Sequence, residues 1–351
     1  MQDITNLAIP KGSTVLVVGA NGFIASHVVN QLLRFGYRVR GTVRDPAKNA
    51  WLPVLFDNTY GKGNFELLAV PDLMRDGALD EAVKGASAVI SVASLVSHDP
   101  DPTKVVPPAV QLIEKTLRSA YNEPSVKRFV LTSSSTTTIP WGPQGIAAGR
   151  DIRSDSWSED ALEIALAPPP YTIARAGPVY AASKIKQEQT MWKFFEENKE
   201  GRPDIVINSV LPAMTFGRSL DPVNQGHASS SELIEKLWKC EPIPTPFVAP
   251  RLFSDVEDVA LLHVAATILH DVRGERLCAF SEPFHWDKVL AILRKQNPDH
   301  EFPTDFVSRE CKNRIMTKPR AEEVLKIMGR ERLTSLEESL RLNVEDLRQG
   351  S

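Results

Sequence analysis

Two tyrosines in this chain stand four residues before a cationic side chain, Tyr171 before Arg175 and Tyr180 before Lys184. A phenol titrates near about 10, so it neither gives nor takes a proton readily at neutral pH unless a cation stabilises its anion. An ammonium one helical turn away can do that, because residues four apart on a helix lie one above the other. Such a phenol could protonate a carbonyl oxygen as hydride arrives, or deprotonate an alcohol in reverse. The second pair follows Gly177-Pro178 and opens a stretch that reads as helix from near Tyr180 to about Lys199, closed by Gly201 and Pro203. Tyr171 follows three prolines and precedes Ala-Gly-Pro. That is poor ground for a helix, and spacing without a helix aligns nothing, so Tyr171 reads as a loop residue that could line a substrate pocket.

Tyr-x-x-x-Lys is common by chance, and a solvated lysine on a surface helix is its ordinary meaning. A third element is needed. The run "RFVLTSSS" ends in Ser133, Ser134 and Ser135, and carboxyl ends of parallel strands face the ligand crevice of an α/β sheet. A serine there can hydrogen-bond a carbonyl and its developing oxyanion. Strand alternation separates Ser134 from its two neighbours without saying which side faces the crevice.

These groups need a hydride donor and a scaffold. "VLVVGANGFIASH" sets Gly19 and Gly22 directly after a strand and before a helix, with Ala25 where a third glycine is common. The first glycine permits a tight turn, the second lets backbone approach a pyrophosphate, and the helix N-terminus supplies N–H donors and positive dipole. The third position serves helix–strand packing, which a methyl tolerates. At the end of the next strand, "GTVRDPAKN" offers both an arginine and an acid. Asp45 before Pro46 has the pattern of an N-cap residue, which leaves Arg44, with Lys48 one turn on, to meet a ribose 2′-phosphate. NADP(H) is therefore expected over NAD.

"STVLVVGA", "YRVRGTV", "FELLAV", "ASAVISVAS", "RFVLTSS" and "DIVINSVLP" are strand-like runs separated by helical segments, including Phe23 to Phe35 and Val106 to Tyr121. Repeated strand–helix alternation implies an α/β fold with a Rossmann-type doubly wound parallel sheet. After Ser135 nearly 40 residues with "IPWGPQG" and "APPPYT" break the pattern, while "DVEDVALLHVAATILH" and two later segments are helical. The expected division is an NADP-binding domain over 1–215 plus about 254–280, with a smaller C-terminal substrate-capping region over 216–253 and 281–351.

With 42% apolar residues, 24% charged residues and a net charge of −3, the chain carries no basic field for nucleic acid. Cys240, Cys278 and Cys311 lie far apart with neither CxxC spacing nor a histidine cluster, so no disulfide framework or metal site is expected and a reducing cytoplasm fits. His98, His227 and His285 carry no argument for chemistry. The N-terminus has no basic start followed by an apolar run, and the apolar stretch around Ala88 to Val96 is about half a membrane span.

Together "GANGFIAS", "GTVRDPAK", "RFVLTSS" and "VYAASK" resemble the extended short-chain dehydrogenase/reductases, in the branch of dihydroflavonol 4-reductase and the yeast-type NADPH-dependent aldehyde/carbonyl (ketone) reductases. The resemblance implies that Ser134 is the catalytic serine, Tyr180 the general acid, and Lys184 the residue that tunes it and holds the nicotinamide ribose. It further implies cofactor contacts at Gly19, Gly22, Phe23, Ile24, Arg44, Lys48, Asp72, Leu73, Ala93, Ser94 and Pro212. The segment between Ser134 and Tyr180 is longer than in the plant enzymes, and 227–250 has no clear counterpart. The expectation is reduction of a small-molecule aldehyde or ketone, bulky or aromatic, to its alcohol. The rivals are a nucleotide-sugar epimerase or dehydratase of the same superfamily and a non-catalytic NADP-sensing regulator. Monomer and homodimer both stay open.

Overall fold

Residues 5–141, 145, 149–244, 249, 251–306 and 310–349 are described in the computed structural model. The first half alternates as the sequence pattern requires: β1 (Thr14–Val18), α1 (Phe23–Arg34), β2 (Arg38–Val43), α2 (Trp51–Tyr60), β3 (Phe65–Ala69), α3 (Asp80–Val83), β4 (Ala88–Ser91), α4 (Pro102–Asn122) and β5 (Arg128–Thr132). A two-residue strand β6 (Asp151–Ile152), α5 (Glu159–Leu166), α6 (Ala176–Asn198), β7 (Val206–Leu211), β8 (Met214–Phe216) and α7 (Ser231–Trp238) follow. The chain ends with β9 (Arg251–Asp255), α8 (Val256–Ile268), β10 (Arg276–Cys278), β11 (Glu282–Phe284), α9 (Trp286–Gln296), β12 (Arg314–Ile315), α10 (Lys318–Ile327) and α11 (Leu336–Asn343).

Seven strands form one parallel sheet in the order β10-β7-β5-β4-β1-β2-β3. Its strands are buried on both faces, as their near-continuous apolar runs require. Alternation sends Val15, Val17, Val39, Ile90 and Val130 to one face, under α1, α8 and α10, and sends Leu16, Val18, Val89, Phe129 and Leu131 to the other, under α3, α4 and α6. The strand order reverses between β1 and β4, and a crevice opens beyond the carboxyl ends of strands at such a switch point. A second core packs Phe216, Phe253, Phe284 and Trp286 with Leu233, Leu290 and Leu340, between the three-stranded sheet β11-β9-β8 and helices α7, α9 and α11. Helix α10 leaves that region, placing Ala321, Val324 and Leu325 in the core of the large sheet.

Several elements depart from the sequence reading. Helix α4 begins at Pro102, one turn before the expected start, because the Asp101 carboxylate accepts the Thr103 N–H at 3.0 Å and a proline at the first helical position needs no partner. Helix α6 begins at Ala176, ahead of Gly177-Pro178, because an N–H missing from the first turn would have had no intrahelical partner. Within the proline-rich stretch after Ser135 there is a full helix, α5.

Candidate active site

Gly19 adopts φ +83°, the left-handed region that suits glycine. A Cβ there would lie 3.0 Å from the Cβ of Ala93 at the end of β4, so the turn passes close to the neighbouring strand. Gly22 caps α1 without a side chain, and the first turn holds no acid, which leaves the helix N-terminus open to an anion. Ala25 is fully buried in the core beneath, the packing role expected of the third position. The turn and the adjoining backbone thus fit a dinucleotide pyrophosphate.

At the end of β2 the acid and the base divide as the local chemistry requires. Asp45 Oδ1 accepts from the backbone N–H of Ala47 at 3.0 Å and of Lys48 at 3.3 Å, so its charge is committed to the turn. Arg44 and Lys48 are exposed. Arg40 does not join them in a basic cluster, since it pairs with Glu66 at 3.0 Å and donates to the carbonyls of Ala82 and Lys84.

Ser133 donates its hydroxyl to Glu188 at 2.6 Å. Ser134 accepts from the backbone N–H of Thr136 at 3.2 Å, and from the Thr136 hydroxyl at 2.9 Å, and hydrogen-bonds Tyr180. Ser135 does not border the cleft. Tyr180 is half-buried, and the Lys184 ammonium, 3% exposed, donates to the Thr132 carbonyl at 2.8 Å and to Gln187 Oε1 at 2.9 Å. Burial pulls Lys184 down to about 8, while the carboxylate of Glu188 opposes that shift. Tyr180 departs from the expectation of a phenol made acidic by its lysine. Burial pushes it up, the Ser134 hydrogen bond pulls it down, and burial prevails.

All of the expected residues border one cleft of about 1350 Å³. Gly19, Gly22, Phe23 and Ile24 border it at the first turn, and Arg44 and Lys48 border it after β2. Asp72 and Leu73 lie beyond β3, Ala93 and Ser94 beyond β4, and Pro212 beyond β7. Ser134, Tyr180 and Lys184 border it from β5 and α6. Tyr171 does not. Its partner Arg175 is buried, donates to the carbonyls of Ile164, Ala167, Pro168 and Pro170, and lies 5.0 Å from the Tyr171 ring centroid, which is a structural role. Thr42, Thr132, Thr215, Ser229 and Ser230 also border the cleft and were not anticipated. Thr42 and Thr132 were within reach of the strand-end rule, whereas Ser229, at φ +59°, lies in a loop with no signal in sequence. Among the described residues no group of three or more His, Cys, Asp or Glu could hold a metal ion, and no helix is long and apolar enough to cross a membrane.

A family model described as NAD(P)H-binding matches residues 19–183. Aldehyde reductase 2 of Sporidiobolus salmonicolor is 38% identical over 343 residues, covering 97% of this chain and 98% of that protein. A protein of Aspergillus terreus named NAD-dependent epimerase/dehydratase terH is 36% identical over 341 residues, covering 96% and 97%. Among solved structures, that of Gre2 from Candida albicans in complex with NADPH has a TM-score of 0.81 at 26% identity, covering 96% of this chain and 99% of that one. With its seven-stranded parallel sheet, its glycine turn at the switch point and relatives matched end to end, the chain belongs to the extended short-chain dehydrogenase/reductases, in the branch that holds the NADPH-dependent aldehyde and ketone reductases.

Proposed function

We propose that the protein reduces an aldehyde or ketone to the alcohol with NADPH. The observation that carries this reading is the meeting of Ser134, Tyr180 and Lys184 with the glycine turn and Arg44 in one cleft. NADPH, when bound, supplies the hydride. Gly19, Gly22, Phe23 and Ile24 would hold its pyrophosphate, Arg44 and Lys48 its 2′-phosphate, and Asp72 with Leu73 the adenine side. Ala93, Ser94, Lys184 and Pro212 would border the nicotinamide half.

In this reading Ser134 hydrogen-bonds the substrate oxygen and stabilises the charge that develops on it. Tyr180 gives that oxygen its proton. Lys184 holds a positive charge one turn from the phenol and favours the tyrosinate left behind, alongside the Ser134 hydrogen bond that opposes the pull of burial. A capping role for 216–253 and 281–351, apart from α10, over the sheet carried by 1–215 and 254–280 belongs to the same proposal, as do a bulky or aromatic substrate and a cytoplasmic setting.

A second reading, an epimerase or dehydratase, is favoured by the name of the Aspergillus terreus relative. Against it stand Arg44 and the committed charge of Asp45, since an enzyme that retains NAD commonly places an acid on the ribose 2′-hydroxyl at this point. Following NADPH absorbance with a panel of aromatic aldehydes and β-ketoesters separates the readings. Reduction predicts one NADPH consumed per alcohol formed. Conversion of a nucleotide sugar with no net NADPH consumption would replace it with the second reading, and binding of NADPH without turnover of any substrate would leave a sensor.

A further inference from the structure

Four residues beyond Lys184 on α6, Glu188 is completely buried, where an unpaired carboxylate is strongly disfavoured. Its Oε2 accepts from the Ser133 hydroxyl at 2.6 Å, and its Oε1 accepts from the Ser209 hydroxyl at 2.6 Å and from Arg276 Nε at 2.8 Å. Arg276 on β10 also donates to the carbonyls of Ser154 and Ser156 at 2.6 and 2.8 Å and to the Thr137 hydroxyl at 3.1 Å, and its guanidinium lies 3.9 Å from the centroid of the Trp157 ring. One carboxylate thereby joins the helix of Tyr180 and Lys184 to the serine beside Ser134, and through Arg276 to the turn that Ser134 caps.

Buried ion pairs are often replaceable by apolar residues without loss of stability, so stability alone is weak reason for this one. Position gives a better reason. The backbone stays extended at Ser134, just beyond β5, where neighbouring side chains point to opposite sides, so a Ser133 hydroxyl drawn back to Glu188 leaves the Ser134 hydroxyl turned toward Tyr180. The same carboxylate is the negative charge that opposes the effect of burial on Lys184.

We propose that Glu188 is a positioning residue for the reduction, acting through Ser133 to aim Ser134 and through its charge to hold the Lys184 ammonium in a buried site. This rests on the roles proposed above for Ser134, Tyr180 and Lys184. The charged and titratable groups facing Lys184 are Tyr180 and Glu188 from its own helix, Arg276 from β10 across Glu188, and His263 of α8, which meets the Thr132 hydroxyl at 2.8 Å. Burial pulls His263 down to about 4, so it is neutral near pH 7. The residues that α4 and α5 bury carry no charge.

The test compares the wild type with Glu188→Gln, with Glu188→Gln/Arg276→Gln, which spares a buried arginine from losing its counterion, and with Ser133→Ala, which keeps the ion pair. For each, thermal unfolding is recorded, the NADPH Kd is followed by nicotinamide fluorescence as pH is raised, and kcat is measured with an aromatic aldehyde. With Glu188 neutralised, the pH at which NADPH binding weakens is expected to fall by about one unit. Ser133→Ala is expected to leave that pH in place and to lower kcat by roughly tenfold or more, because a displaced serine hydroxyl no longer meets the substrate oxygen. A folded Glu188 variant with the wild-type binding profile, or Ser133→Ala with the wild-type kcat, would overturn the proposal. The binding profile needs no turnover, so it still decides the role of Glu188 toward Lys184 if the wild type binds NADPH but reduces no carbonyl.

Discussion

At the scale of single residues, the proposed reduction turns on how one phenol and one ammonium divide a proton and a charge. Lys184 is buried among the Thr132 carbonyl, the Gln187 amide and, four residues on, an anion, and its pKa falls to about 8. Most of its charge is therefore kept at neutral pH and lost in mild alkali. The profile of kcat/KM is expected to decline as pH rises through about 8. Lys184→Arg should abolish that decline, at a lower absolute rate, because a guanidinium keeps its charge throughout this range. A decline in the arginine variant matching that of the wild type would assign the titration to another group. The sequence could name Tyr180 and Lys184 because both sit in one helical repeat, but it could not choose among Ser133, Ser134 and Ser135. That choice depends on a hydrogen bond from Ser133 to Glu188, 55 positions away, and on the strand face it fixes.

At the scale of elements, most of the local signals were legible in the sequence. The strands β1, β2, β3, β4, β5 and β7 and the turn at Gly19 follow from apolar runs and glycine chemistry, and the capping pattern of Asp45-Pro46 appears as two backbone N–H groups on one carboxylate oxygen. The misreadings have separate causes. The starts of α4 and α6 are set by first turns that tolerate Pro102 and Pro178, whose missing N–H groups need no intrahelical partner, whereas α5 forms inside the proline-rich stretch by packing against α6. Short elements such as β8, β9 and β11 draw their stability from the aromatic core around Phe216 and Trp286, which no window of sequence reveals. The end of β2 carries its own prediction. With Asp45 committed to its turn, Arg44→Asp should remove the proposed 2′-phosphate partner and shift preference from NADPH toward NADH by about tenfold or more, consistent with the loss of one charge-assisted contact. The ratio of kcat/KM for the two cofactors measures this, and an unchanged ratio would move the phosphate site away from Arg44.

At the scale of the whole molecule, a buried imidazole joins helix α1 to the region beyond the sheet. His27 on α1 is fully buried, bonds the Arg218 carbonyl at 3.0 Å through Nε2, and is pulled by burial from 6.5 to about 4. Below 6.5 the unfolded chain takes up a proton that the folded state refuses until about 4, so stability is lost as pH falls through that window. His27→Gln keeps a donor for the Arg218 carbonyl and should flatten the loss by up to about 3 kcal/mol, read from urea midpoints at neutral and mildly acidic pH. An unchanged slope would assign the acid sensitivity elsewhere. The same large sheet sets the glycine turn of β1, the Arg44 end of β2 and the serine end of β5 along one crevice, against the helix that carries Tyr180 and Lys184. The claim that depends most on this arrangement is that Tyr180 delivers the proton. Tyr180→Phe, assayed for NADPH affinity by fluorescence titration and for turnover of an aromatic aldehyde, tests it most directly. The expected result is a Kd close to that of the wild type with kcat reduced at least about a hundredfold, the scale of a lost general acid; a kcat near that of the wild type would contradict it.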